Sequence, residues 1–173
     1  LSAVLDLAQY HCKVKDLYTI SGTVSLIPHT SPRRMLTVFN QPEFQKQFQG
    51  HGLEDMTWKG PPAINSYLLW AARRRGIPGM SLWPEVPFYL AAGEDPQGIK
   101  LTLSFLDRRF NLGLDLKDLD EETRRQKEKM ARLRNENPEI SKSIAMLERG
   151  LSLSEEEQMN LAKGVYQVLE ENG

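Results

Sequence analysis

One cysteine, Cys12, stands among 173 residues, so no disulfide can form within the chain, and a reducing compartment, the cytoplasm, is the expectation. The three histidines, His11, His29 and His51, lie too far apart to share a helical turn as ligands. No metal site and no cofactor are expected. No apolar run approaches the ~18 residues of a membrane span, and the first residues do not read as a basic, cleavable leader. Charge of one sign is missing too: 22 Lys and Arg against 23 Asp and Glu leave a net charge of −1. A nucleic-acid binder carries a basic excess, so nucleic acid is set aside as a partner, as is a membrane. Nucleophile signatures are also absent. There is no G-x-S-x-G elbow and no Walker loop, and Gly60-Pro61-Pro62 lacks two of the backbone donors that cradle a phosphate. No catalytic residue is assigned, and the chain reads as more a non-enzyme than an enzyme.

What is present is an ordinary globular composition, 40% apolar and 26% charged, long enough to bury about 70% of its unfolded surface in one core. Residues 1–13 carry a short helical face. Residues 17–20 and 35–39 are rich in β-formers and read as strands. Pro42 opens a small helix over 43–49, and Met56-Thr57-Trp58 suggests a short strand. Over 63–75, Ile64, Tyr67, Leu68 and Ala71 fall on one helical face, closed by Gly76. Residues 77–82 follow as a strand, so strand, helix and strand alternate as in an α/β fold. Asp95-Pro96 reads as the N-cap and first turn of a helix through Asn111, ended by Gly113. Composition shifts near Asp115. Beyond it no strand is expected, only three helices: 118–135, 139–149 ending at Gly150, and 154–171 behind the capping box that Ser154 and Glu157 can form. The last presents a face of Met159, Ala162, Val165, Tyr166 and Leu169, expected to pack on the domain or on another subunit. The division expected is an α/β domain over 1–114 and a helical tail over 115–173.

Few polar residues stand out. His29, beside Thr30 in the proline-flanked turn Pro28-His29-Thr30-Ser31-Pro32, is read either as a structural turn histidine or as a group held at a strand end for binding. Glu85, between Pro84 and Pro87, is the one acid in a constrained loop after a strand, and is read either as a solvated loop acid or as a group where open α/β sheets place ligands. Arg73-Arg74-Arg75 most simply complements a helix C-terminus.

Three segments taken in order carry a resemblance: Gly60-Pro61-Pro62-Ala63-Ile64-Asn65, then Ala72-Arg73-Arg74-Arg75-Gly76-Ile77-Pro78, then Pro84-Glu85-Val86-Pro87-Phe88-Tyr89. Together with the His29 loop they resemble the second, bacterial and archaeal branch of the proteasome assembly chaperone family, over roughly residues 17–120 and the charged helices that follow. The resemblance implies a three-layer α/β/α fold with a parallel or mixed sheet, like that of nucleoside phosphorylases, with helical additions that build homo-oligomers. It implies no established catalytic residues. Two departures shape the expectations. The family's N-terminal strands and helices are not found before Leu1, so residues are expected upstream. The chain does not end in the hydrophobic-Tyr-any tripeptide of proteasome-docking relatives, and Val165-Tyr166-Gln167, which has that composition, lies inside a helix, so the proteasome is a doubtful partner.

Two function classes follow. The first is an oligomeric, chaperone-like interaction protein with itself and another protein as partners. The second is a small-molecule-binding protein, or a hydrolase- or phosphorylase-like enzyme, built on the strand-end loops. His29, Thr30, Gly60, Asn65 and Glu85 form the candidate ligand or partner loop, with His29 and Glu85 at the same sheet edge.

Overall fold

In the computed structural model the described residues are 2–57 and 63–170. The Gly60 position and Trp58 of the expected short strand lie outside them. The chain divides into two compact units, Leu1–Gly22 with Arg34–Pro84, and Thr23–Arg33 with Glu85–Gly173. The expected boundary at 114/115 falls inside the second. The reason is the core of that unit: helices α5 (Lys117–Glu136), α6 (Pro138–Glu148) and α7 (Glu155–Glu170) close over Tyr89 and Leu90 in one apolar cluster with Met130, Leu133, Ile144, Leu161 and Val165.

The first unit opens with α1 (Ser2–Asp6), running on as one wide turn over Leu7–His11. Strands β1 (Leu17–Ile20), β3 (Met35–Phe39) and β4 (Leu53–Asp55) and helices α2 (Pro42–Lys46) and α3 (Ile64–Arg74) follow. Strand β5 (Gly79–Pro87) is central: the order is β1-β5-β3-β4, with β1 parallel and β3 antiparallel to β5, and β4 parallel to β3. In the second unit β2 (Thr23–Ser25) pairs parallel with residues 85–87 at the far end of β5. The α/β class with a mixed sheet is therefore the observed one. No helix among the described residues is long and apolar enough to cross a membrane.

Local rules account for most element ends. Gly76 and Gly150 take positive φ, +73° and +72°, directly after α3 and α6. Ser154 and Glu157 exchange side chain for backbone bonds of 3.2 and 2.9 Å in front of α7. Asn137 accepts from Glu139 and Ile140 in front of α6. The expected strand at Met56 and Thr57 is displaced: the pairing residues are Leu53–Asp55. Helix α4 (Pro96–Phe110) stops earlier than expected because Asn111, at φ 51°, supplies the left-handed turn assigned to Gly113. Strand β5 starts two residues later than expected and runs five further, through Pro84 and Pro87. Proline ends a helix, but a strand only forgoes one donor, so the two prolines bracket strand rather than loop.

In α3 the covered side is Leu69 and Ala72, with Leu68 and Ala71 packed beside the cluster of Leu5, Ala72 and Ile77. Ile64 and Tyr67, expected on that side, are exposed. Gly79 is needed where α3 meets the sheet: a Cβ there would stand 2.8 Å from the Leu17 carbonyl oxygen and 3.0 Å from Leu69 Cδ2. Asn40 locks the same corner. Its Nδ2 donates to the carbonyls of Leu69 and Ile77 at 3.1 and 3.0 Å, and its Oδ1 accepts from Gly79 N–H at 2.7 Å.

Candidate functional site

Four of the sequence's candidates can be placed, and they divide. His29, Thr30 and Glu85 belong to the second unit, while Asn65 is half-buried in the first turn of α3 in the first unit. The second unit is where polar side chains converge. Strand β2 runs beside the end of β5 in the register Thr23 to Glu85 and Ser25 to Pro87. Across it the Ser25 hydroxyl donates to Glu85 Oε1 at 3.1 Å. Glu85 is a buried strand residue rather than a loop acid.

The chain then turns, with Ser31 N–H donating to the Pro28 carbonyl at 3.1 Å. The turn places His29, itself buried, on Tyr89. The His29 backbone N–H donates to Tyr89 Oη at 2.5 Å, and Nδ1 lies 2.9 Å from the same oxygen. A phenol oxygen both donates and accepts, so the direction of the bond to Nδ1 follows the imidazole tautomer. Burial pushes the His29 imidazole down from 6.5 to about 4, helped by Arg134, Arg33 and Lys127 and opposed by Glu148. Burial likewise raises the Tyr89 phenol well above its ordinary range, while the His29 N–H bond pulls it back.

Around this pair lie two ion pairs. Arg134 forks onto Glu148 at 2.8 and 3.2 Å, and Thr30 donates to the same carboxylate at 3.2 Å. The Arg134 bonds, chiefly, hold the Glu148 carboxyl below its usual range. Arg33 forks onto Asp95 at 2.7 and 3.1 Å, with the two side chains only 2% and 4% exposed. Its remaining nitrogen donates to the Ser31 carbonyl at 2.9 Å. This corrects the expected role of Asp95: it precedes α4, yet its side chain makes no cap bond. A bidentate guanidinium outbids neutral backbone donors for a buried carboxylate. Gly98 makes the room, since a Cβ there would stand 2.9 Å from Asp95 Oδ2.

Arg33, Tyr89, Asp95, Arg134 and Glu148 were not among the sequence's candidates. Arg33 lies in Pro32-Arg33-Arg34 next to the singled-out turn, the one local hint; Tyr89, Asp95 and Glu148 are 60 to 118 residues from their partners over 29–33, and Arg134 joins through Glu148. As chemistry, the arrangement is a clasp. It ties residues 26–33 to the start of α4 and to α5 and α6, and the His29 Nδ1, the Thr30 hydroxyl and the Glu85 Oε1 are each engaged within the unit. Among the described residues no group of His, Cys, Asp and Glu is arranged to hold a metal ion. A separate groove of about 550 Å³ in the same unit is lined by Tyr89, Pro96, Arg125, Lys129, Tyr166 and Leu169, among others.

The clasp makes stability pH-dependent. The unfolded histidine takes its proton near 6.5 and the folded one near 4, so between those values the unfolded chain holds more protons and stability falls as pH falls. The expected loss reaches about 3 kcal/mol by about pH 4. Glu148, whose carboxyl is lowered, adds its own loss only below its ordinary 4.5. Urea midpoints measured from neutral to mildly acidic pH should fall through the upper window in the native chain and stay flat there in His29→Gln. Parallel curves for the two would remove the assignment.

The PAC2 family model matches residues 1–134, and the chain belongs to the PAC2 family. Solved structures that share its fold include a protein of unknown function from Corynebacterium glutamicum, at 19% identity and a TM-score of 0.74 over 86% of this chain and 54% of that one. A PAC2 family protein from Streptomyces avermitilis is 25% identical, with a TM-score of 0.63 over 71% and 51%. A proteasome-assembly chaperone homologue from Mycobacterium tuberculosis is 20% identical, with a TM-score of 0.61 over 71% and 50%. The chain spans about half the length of each. No curated protein matches it.

Proposed function

We propose that this chain is a non-enzymatic, chaperone-like protein that works in the cytoplasm by protein–protein contact and assembles with copies of itself. The observation that carries the reading is the clasp: His29, Thr30 and Glu85, the residues best suited to handle a small molecule, are tied into bonds that order a loop. Family membership supports it, and so does the name of the M. tuberculosis relative, a proteasome-assembly chaperone homologue. The helices after residue 114 supply assembly surface in this reading. Deleting them is a poor test, because α5, α6 and α7 share a core with Tyr89 and Leu90.

A better test sets two measurements side by side. Purified chain is mixed with purified proteasome core subunits and passed over a sizing column, and the chain alone is taken through a thermal-shift screen of metabolites. Co-migration with the core subunits names the partner. A metabolite that raises the melting temperature by mass action, with no co-migration, overturns the reading in favour of a small-molecule protein.

A further inference from the structure

Helix α3 carries two exposed features that its own unit does not use. Ile64, Tyr67 and Trp70 are 69%, 53% and 57% exposed, and at spacings of three they share an arc of about 120°. At the C-terminal end of that arc the Arg74 guanidinium lies 4.9 Å from the Trp70 ring centroid. Arg73 and Arg74 are both exposed and form no ion pair among the described residues, and α3 holds no acidic residue. Trp, Tyr and Arg side by side are the residue types that dominate interface energetics.

Helix α7 carries the complementary pattern in the opposite direction. Its first turn is Glu155-Glu156-Glu157, of which Glu155 and Glu156 are exposed and form no ion pair among the described residues. One turn on, Met159 is 66% exposed, and Tyr166 is 42% exposed. The covered side of α7 is Leu161 and Val165, with Ala162 and Leu169 packed against the same cluster, so of the expected apolar face Met159 and Tyr166 are the exposed members.

We propose that α3 of one copy docks antiparallel on α7 of a second copy, Arg74 against Glu155 and Trp70 against Met159. The spacings match over the first two turns: Arg74 to Trp70 and Glu155 to Met159 are both one turn, and Tyr67 then falls opposite Ala162. Antiparallel helices also set the basic end of one against the acidic start of the other, and the Met159 thioether meets an aromatic ring. Two different surfaces meet, so the contact is heterologous, and copies joined this way form a ring if the rotation closes. The inference rests on the reading of the chain as self-associating.

Sedimentation of the full chain at micromolar concentration tests it. Arg74→Glu and Glu155→Arg should each weaken self-association about tenfold or more, and the chain carrying both changes should recover it, because the pair is then reversed rather than broken. Raising the salt should weaken the native contact. Each variant's fold is checked by circular dichroism; should one fail to fold, Met159→Glu on the opposite surface reads the same contact. An oligomer that neither single change affects, or a double variant no better than the singles, overturns this surface and leaves the proposed function standing. A monomeric native chain overturns both the surface and self-association.

Discussion

Asn40→Asp is expected to destabilise the first unit by about 3–5 kcal/mol, enough to lower its melting temperature by about 6–20 °C. The amide of Asn40 bonds three backbone groups at once: the carbonyl of Leu69 inside α3, the carbonyl of Ile77 before β5, and the N–H of Gly79. An aspartate removes both donors and turns a charge toward two buried carbonyl oxygens. Asn40→Leu should cost a similar amount for a different reason, since it takes the amide from the Ile77 carbonyl and the Gly79 N–H without adding charge. Chemical denaturation of the two variants checks this. A loss below about 1 kcal/mol for both would mean that water reaches the corner between α3 and the sheet.

The second large effect is expected at Arg33 and Asp95. With side chains 2% and 4% exposed, the pair has no access to solvent, so Arg33→Met or Asp95→Leu alone leaves an uncompensated buried charge and should cost about 3–5 kcal/mol. Replacing both removes the desolvated charges together, and the double variant should lie within about 1 kcal/mol of the native chain. The contrast between the single losses and the near-neutral double is the signature to look for in a double-mutant cycle. A double loss equal to the sum of the two single losses would show instead that the guanidinium matters through its bond to the Ser31 carbonyl rather than through Asp95.

The same residues show why parts of the site were hard to read. Pro28 and Pro32 announce the turn at His29, and the turn is there. What the histidine does in it depends on Tyr89, 60 residues away. Glu85 was singled out for its flanking prolines, on the premise that they mark a loop. Beside β2 and β3 the same prolines are accommodated in a strand, because only the paired donors of that strand are constrained. Asp95 before Pro96 carries every local mark of a helix cap, and a charged partner from elsewhere in the chain takes its carboxylate.

By itself the sequence determined part of the element list: β1 and β3 residue for residue, the glycine turns after α3 and α6, the capping box before α7, and the α/β class. These follow from preferences that act within a few residues. Tertiary structure alone decided how buried polar groups are spent and which arc of a helix is covered. In α3 apolar residues occupy nearly the whole span from Ile64 to Ala72, and in α7 they run from Met159 to Leu169, so the 3.6-residue period marks adjacent arcs almost equally. Leu69 and Ala72 went inward, and Ile64, Tyr67 and Trp70 outward, because the surface of the sheet at Leu17 and Gly79 meets one arc and not the other.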